Sequence, residues 1–145
     1  MAGPIDAATF ANLVEMTGGD VAFVDELVDT YLEEGDRLVE DLIVAATAGE
    51  IEAMVRPAHS MKSSSLNVGA LELGELCRAL EENARSGFVE DPVIRADAIK
   101  LAFADARAAL LERMPRRLTT LEEGLSTYLA PGSAPASLTI DSRPA

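Results

Sequence analysis

Apolar residues recur every three or four positions along most of the chain, which is the spacing of amphipathic α-helices. The longest such stripe begins after Asp20 and ends at Gly49, and it predicts one long helix. A shorter helix precedes it, with Asp6 as its N-cap and Gly18-Gly19 at its end. No stretch alternates apolar and polar residues as a half-buried strand does, so the sequence predicts an all-α fold.

Three more helices are expected after the long one. The third covers about 50–67, and the fourth covers about 70–86. The fifth opens with Asp91-Pro92, an N-cap followed by proline, and continues towards Met114. Because short connections favour antiparallel neighbours, we expect an antiparallel up-down four-helix bundle, with the first short helix covering one end.

The same periodicity predicts which positions of the fourth helix point inward, and it continues through the fifth helix. In the fourth helix they are Leu73, Leu76, Cys77, Leu80 and Ala84. In the fifth helix the recurring positions are Ile94, Ala98, Leu101, Asp105 and Ala109. The acidic pairs Glu33-Glu34 and Glu81-Glu82 have no metal-ligand partners, so both are interpreted as solvated faces.

The bundle pattern covers residues 1–115, and the sequence changes after Pro115. Within 116–130, leucines recur at helical spacing and allow one further amphipathic helix. Residues 131–145 are rich in proline, serine and alanine, which predicts a disordered tail.

Composition and charge indicate the cellular location of the protein and exclude some classes of partner. It has 145 residues, 48% of them hydrophobic, yet no apolar run approaches the roughly 20 residues that span a bilayer. The start lacks a secretory signal and the single cysteine suits a reducing compartment, so we expect a cytoplasmic protein with no membrane partner. The net charge of −13, concentrated before Arg56, argues against nucleic acid as a partner.

The candidate chemistry lies in the third predicted helix, which contains the only histidine of the chain, His59. On a helical wheel His59 lies about 130° from the middle of the apolar stripe, so it should face solvent. Arg56 and Lys62 lie three residues before and after it, and Ser63 follows it by four. These residues predict a small positive spot around an exposed imidazole.

An exposed neutral imidazole can attack a phosphoryl group through its unprotonated nitrogen. Lys62, and with it Ser63 and Arg56, would stabilise the charge that develops on the phosphoryl oxygens. The sequence has no phosphate-binding loop of the nucleotide-binding kind. We therefore expect a phosphocarrier that receives its phosphoryl group from another protein, and not an enzyme with its own nucleotide site.

The stretch around His59 resembles the signature of the histidine-containing phosphotransfer (Hpt) domains of two-component phosphorelays. The matching residues are Ala58, His59, Met61, Lys62, Ser64, Ser65, Gly69 and Ala70, followed by Leu76-Cys77 and Leu80-Glu81 in the next helix. The resemblance covers roughly residues 5–114, and its specific part is confined to the third and fourth helices. Two positions depart from the family pattern: Ser63 stands where glycine is usual, and Pro57 should kink or restart the helix.

The resemblance implies a four-helix bundle whose histidine accepts a phosphoryl group from the aspartate of one receiver domain and passes it to another. It implies response-regulator receiver domains and a hybrid or sensor histidine kinase as partners. It also implies that the chain needs no cofactor, because receiver domains bring their own Mg²⁺. Two alternatives stay open: a docking module that binds a receiver or kinase without accepting phosphate, and a helical scaffold that uses the segment after Pro115.

Overall fold

The structure, a computed structural model, describes residues 3–114, which form five α-helices and no strand. The helices are α1 (Ala7–Met16), α2 (Val21–Ala48), α3 (Val55–Val68), α4 (Leu71–Arg85) and α5 (Pro92–Glu112), with a short 3₁₀ turn at Glu52–Met54. The predicted all-α fold, a four-helix bundle with an additional N-terminal helix, is confirmed. The helix predicted at 116–130 and the tail at 131–145 lie outside the described residues.

Side-chain caps and glycines set most of the helix boundaries. The Asp6 carboxylate accepts a hydrogen bond from the backbone N–H of Thr9, and the Asp20 carboxylate accepts one from Phe23. Both bonds satisfy a donor that a helix N-terminus leaves without a partner. Gly49 ends α2 in the left-handed conformation, with φ of 71°, which glycine adopts without steric cost.

The third helix is shorter than predicted, because the 3₁₀ turn replaces its first part and α3 starts at Val55. Pro57 is the third residue of α3, in the first turn. Backbone N–H groups in that turn have no partner within the helix, so proline removes no hydrogen bond there. Of the two outcomes expected for Pro57, a kink or a restart, the structure has the restart.

The turn between α3 and α4 fastens the start of α1. Gly69 has φ of 95°, and its carbonyl accepts a hydrogen bond of 2.7 Å from the backbone N–H of Asp6. A Cβ at this position would lie 2.9 Å from the Asp6 carbonyl oxygen. Both the backbone conformation and the close approach therefore require glycine.

The core is mainly aliphatic and draws on all four helices of the bundle. Its fully buried members include Val28, Leu42, Met61, Leu73, Leu80, Ile99 and Leu110. Helix α5 packs against α2 through Phe103, whose ring meets Tyr31 edge to face at 5.7 Å and lies against Gly35. The Tyr31 hydroxyl shares a buried hydrogen bond of 2.8 Å with Ser65 of α3. Tyr31 therefore connects α2 to both α3 and α5.

One predicted inward position was wrong. In α4, Leu76 is 36% exposed, whereas the other four predicted positions are buried. In α5, the recurring positions do not share one buried side: Ile94 and Leu101 are 66% and 68% exposed, whereas Ala109 is buried. Apolar residues lie on several sides of α5, so periodicity alone does not select a face, and the contact of Phe103 with Gly35 shows which side packs inward.

Within residues 3–114, no helix is both long and apolar enough to cross a membrane.

Candidate functional site

His59 lies in the second turn of α3 and points outward, as the helical wheel predicts. Its neighbours Ala58 and Met61 are fully buried, which fixes the inner side of the helix. The His59 side chain is 53% exposed. The imidazole is therefore open to solvent on one side and rests on the protein on the other.

Glu81 of α4 holds the protein side of the ring, since its Oε2 is 2.9 Å from His59 Nδ1. Glu81 is only 7% exposed. Burial acts to raise the pKa of this carboxyl, but hydrogen bonds from Lys62, Arg85 and His59 outweigh that effect and lower the pKa to about 2. An ionised carboxylate can only accept hydrogen bonds, so the proton of this bond lies on Nδ1, and in the neutral imidazole the lone pair is on Nε2.

Two cations share the same carboxylate with His59. Lys62 Nζ is 2.9 Å from Glu81 Oε1, and the Lys62 side chain is 24% exposed. Arg85 places Nε at 2.9 Å and Nη2 at 2.8 Å from Oε2, the atom that also bonds His59. The sequence analysis placed Lys62 beside the imidazole, and the structure adds that Glu81 joins the two.

Arg56 and Ser63, the other two predicted site residues, lie on the surface around the ring. Arg56 lines a shallow open crevice together with Val55, His59, Ser60 and Arg85. Ser63 is exposed one turn after His59, and it is not among the residues that bond Glu81. The structure thus places Arg56 in the same crevice as the imidazole, and it leaves Ser63 exposed.

Glu81 was missed by the sequence analysis, and its interpretation as part of a solvated acidic face was wrong. Glu82 is exposed and pairs with Arg78, whereas Glu81 lies inward between α3 and α4. A signal for this was present, because Glu81 follows Cys77 by four residues and precedes Ala84 by three. That spacing puts Glu81 on the apolar stripe of its helix, where a charge needs a partner.

The part of the chain between residues 3 and 114 holds no group of three or more side chains suited to bind a metal ion. What it offers is a surface imidazole whose Nδ1 is bonded to Glu81, two cations on the same carboxylate, Lys62 and Arg85, and a third cation, Arg56, in the crevice beside the ring. Such an arrangement can accept a phosphoryl group and stabilise its charge without changing the protonation of the ring.

A family model described as the Hpt domain matches residues 26–109, which include the site from Arg56 to Arg85. The chain belongs to the Hpt domain family. A solved structure described as histidine-containing phosphotransfer protein B (HptB) from Pseudomonas aeruginosa PAO1 resembles this Hpt domain with a TM-score of 0.72 and 28% sequence identity. The match covers 80% of this chain and 98% of that chain. The search of curated proteins gave no match.

The family and the fold together confirm the predicted function. This Hpt domain is a histidine phosphotransfer intermediate of a phosphorelay. Membership in the family implies phosphorelay partners, and it describes a phosphoryl carrier, which is not a nucleotide-binding enzyme in the usual sense.

Proposed function

We propose that His59 is the phosphoryl acceptor of this Hpt domain, and that it takes the group from an aspartate of one receiver domain and passes it to another. The hydrogen bond between His59 Nδ1 and Glu81 carries this proposal, because it leaves Nε2 as the free, exposed nucleophile. The composition supports it as well. A histidine carrier needs a histidine, and the chain has one.

The transfer step requires no proton to move. The lone pair of His59 Nε2 attacks the phosphorus of the receiver's aspartyl phosphate, and a P–N bond forms while the P–O bond breaks. The electron pair of the broken bond stays on the receiver's carboxylate. The ring keeps its proton on Nδ1 and becomes cationic, and the Glu81 carboxylate at 2.9 Å stabilises that charge. The reverse sequence returns the group to a second receiver.

Lys62 has the position and chemistry to stabilise the phosphoryl group. An ammonium has three donors, and one of them is directed at Glu81 Oε1. The others are available to the equatorial oxygens of a phosphoryl group on the neighbouring ring. Arg56 adds a positive charge in the crevice beside the ring, and the small side chain of Ser63 leaves access to the ring open.

The partners in this proposal are response-regulator receiver domains and the hybrid or sensor histidine kinase that supplies them, in the cytoplasm. An apolar groove beside α3 offers a docking surface for a receiver; its lining includes Leu13, Met16, Leu27 and Leu66 from three helices. The chain itself uses no nucleotide and no cofactor under this proposal. Mg²⁺ belongs to the receiver.

Phosphoryl transfer from a panel of labelled, kinase-phosphorylated receiver domains tests the proposal, with His59→Gln as the matched variant. We expect acid-labile, base-stable label on the wild type and none on His59→Gln, which should still bind receivers. Binding without label on the wild type would favour the docking module. Absence of both label and binding would leave the helical scaffold.

A further inference from the structure

Arg85 is hydrogen-bonded to the same Glu81 oxygen atom that binds the imidazole of His59. Its Nε and Nη2 lie 2.9 and 2.8 Å from Glu81 Oε2, and His59 Nδ1 lies 2.9 Å from the same atom. The guanidinium is therefore next to the edge of the imidazole. The Arg85 side chain is 58% exposed, so the surrounding solvent leaves room for it to change position.

Arg85 and Arg56 line one open crevice with His59, Val55 and Ser60. Within the described range 3–114, Arg56 forms no ion pair. Two arginines thus line one crevice with an exposed histidine, on a molecule whose net charge is −13. A crevice with these walls suits an anion attached to the ring.

The contacts of Glu81 allow Arg85 to leave at little cost. The Arg85 side chain is 58% exposed although Glu81 is buried, so water and side-chain entropy offset much of what this ion pair contributes to stability. After Arg85 leaves, Glu81 keeps the bond from Lys62 on Oε1 and the bond from His59 Nδ1 on Oε2. A phosphoryl group has more negative charge than a carboxylate and three acceptor oxygens, which match the planar fork of arginine.

We propose that Arg85 changes partner with the phosphorylation state of His59. In the unphosphorylated protein it is bound to Glu81, and in the phosphorylated protein it binds the phosphoryl oxygens in the crevice that it shares with Arg56. The inference rests on the proposed function, because it needs the phosphoryl group on His59. If so, Arg85 stabilises the phosphoryl group on His59 and shifts the exchange equilibrium away from the phosphorylated receiver.

Helix α4 provides a matched control for this role. Arg78 also forms ion pairs with carboxylates three residues before and four residues after it, Glu75 and Glu82, but it lies away from the crevice. Replacing either arginine by glutamine removes ion pairs of α4. Only Arg85→Gln should alter the chemistry of the phosphorylated site.

The first experiment follows the arginine Nε–Hε resonances of the ¹⁵N-labelled full chain by NMR before and after phosphorylation. Phosphoramidate serves as a small donor, and a phosphorylated receiver domain serves as a second donor. We expect the Arg85 resonance to shift on phosphorylation and the Arg78 resonance to stay.

The second experiment measures the equilibrium of phosphoryl exchange with that receiver. Arg85→Gln should shift it about tenfold towards the receiver and Arg85→Lys by less, while Arg78→Gln matches the wild type.

The outcomes separate this inference from the proposed function. If the wild type takes up label on His59 but the Arg85 resonance does not move, or Arg85→Gln and Arg78→Gln share one equilibrium constant, Arg85 does not bind the phosphoryl group and the acceptor role of His59 stands. If neither donor labels the wild type, the acceptor role and this inference both fall.

Discussion

Replacing Glu81 by alanine removes the carboxylate that joins Lys62, Arg85 and His59. A hydrogen bond between charged groups contributes about 1.5–3 kcal/mol when it is buried, and an exposed ion pair contributes about 0–1 kcal/mol. Lys62 is the most buried of the three partners at 24% exposure, so its bond accounts for most of the loss. We expect Glu81→Ala to lower the free energy of unfolding by about 2–3 kcal/mol.

Urea denaturation of the full chain, followed by far-ultraviolet circular dichroism at pH 7, measures this change. The neighbouring Glu82 is the control, because its carboxylate is exposed and pairs only at the surface with Arg78. Glu82→Ala should cost less than about 0.5 kcal/mol. Equal losses for the two variants would refute the conclusion that Glu81 is the buried centre of the cluster.

The pH dependence gives a second check on the same residue. The pKa of Glu81 is about 2 in the folded protein, below its ordinary value of 4.5. The stabilisation is therefore complete above pH 4.5 and is lost as the pH falls towards 2. The difference in stability between the wild type and Glu81→Ala should close over that interval. A difference that is undiminished at pH 2.5 would show that the ionised carboxylate is not its source.

Three further changes test other parts of the site and fold. Lys62→Gln should slow phosphoryl transfer from a receiver about 10–100-fold in a rapid-quench assay, whereas Lys100→Gln on the exposed side of α5 should not. Gly35→Ala should destabilise the protein to urea by about 1–3 kcal/mol, since its Cβ would lie 2.3 Å from an aromatic ring of α5; higher stability would contradict this packing. Ser65→Ala should cost about 1–3 kcal/mol by leaving the buried Tyr31 hydroxyl unpaired, and adding Tyr31→Phe should restore part of the loss in the same assay.

The sequence predicted those features that depend on short stretches of chain. The caps at Asp6 and Asp20 and the stop at Gly49 involve residues within one turn of a helix end, so their chemistry is visible locally. The outward direction of His59 follows from the period of α3 in the same way. Its buried neighbours, such as Met61, lie within three residues of it.

Features that depend on how the helices pair could not be predicted from the sequence, because they involve residues far apart along the chain. The bond between His59 and Glu81 joins residues 22 positions apart, and it forms only because α3 and α4 pack side by side. The inward side of α5 is a similar case. It is selected by the space that Gly35 leaves for Phe103, a contact between the second and fifth helices that no periodicity within α5 contains.

The two departures from the family pattern bear on how the imidazole is positioned. Pro57 is buried in the first turn of α3, where it fixes the backbone and removes no helix hydrogen bond. Ser63 is exposed and small. The orientation of the ring is determined instead by Glu81 on the neighbouring helix. It follows that a substitution on α4 should change the reactivity of His59 while α3 stays intact.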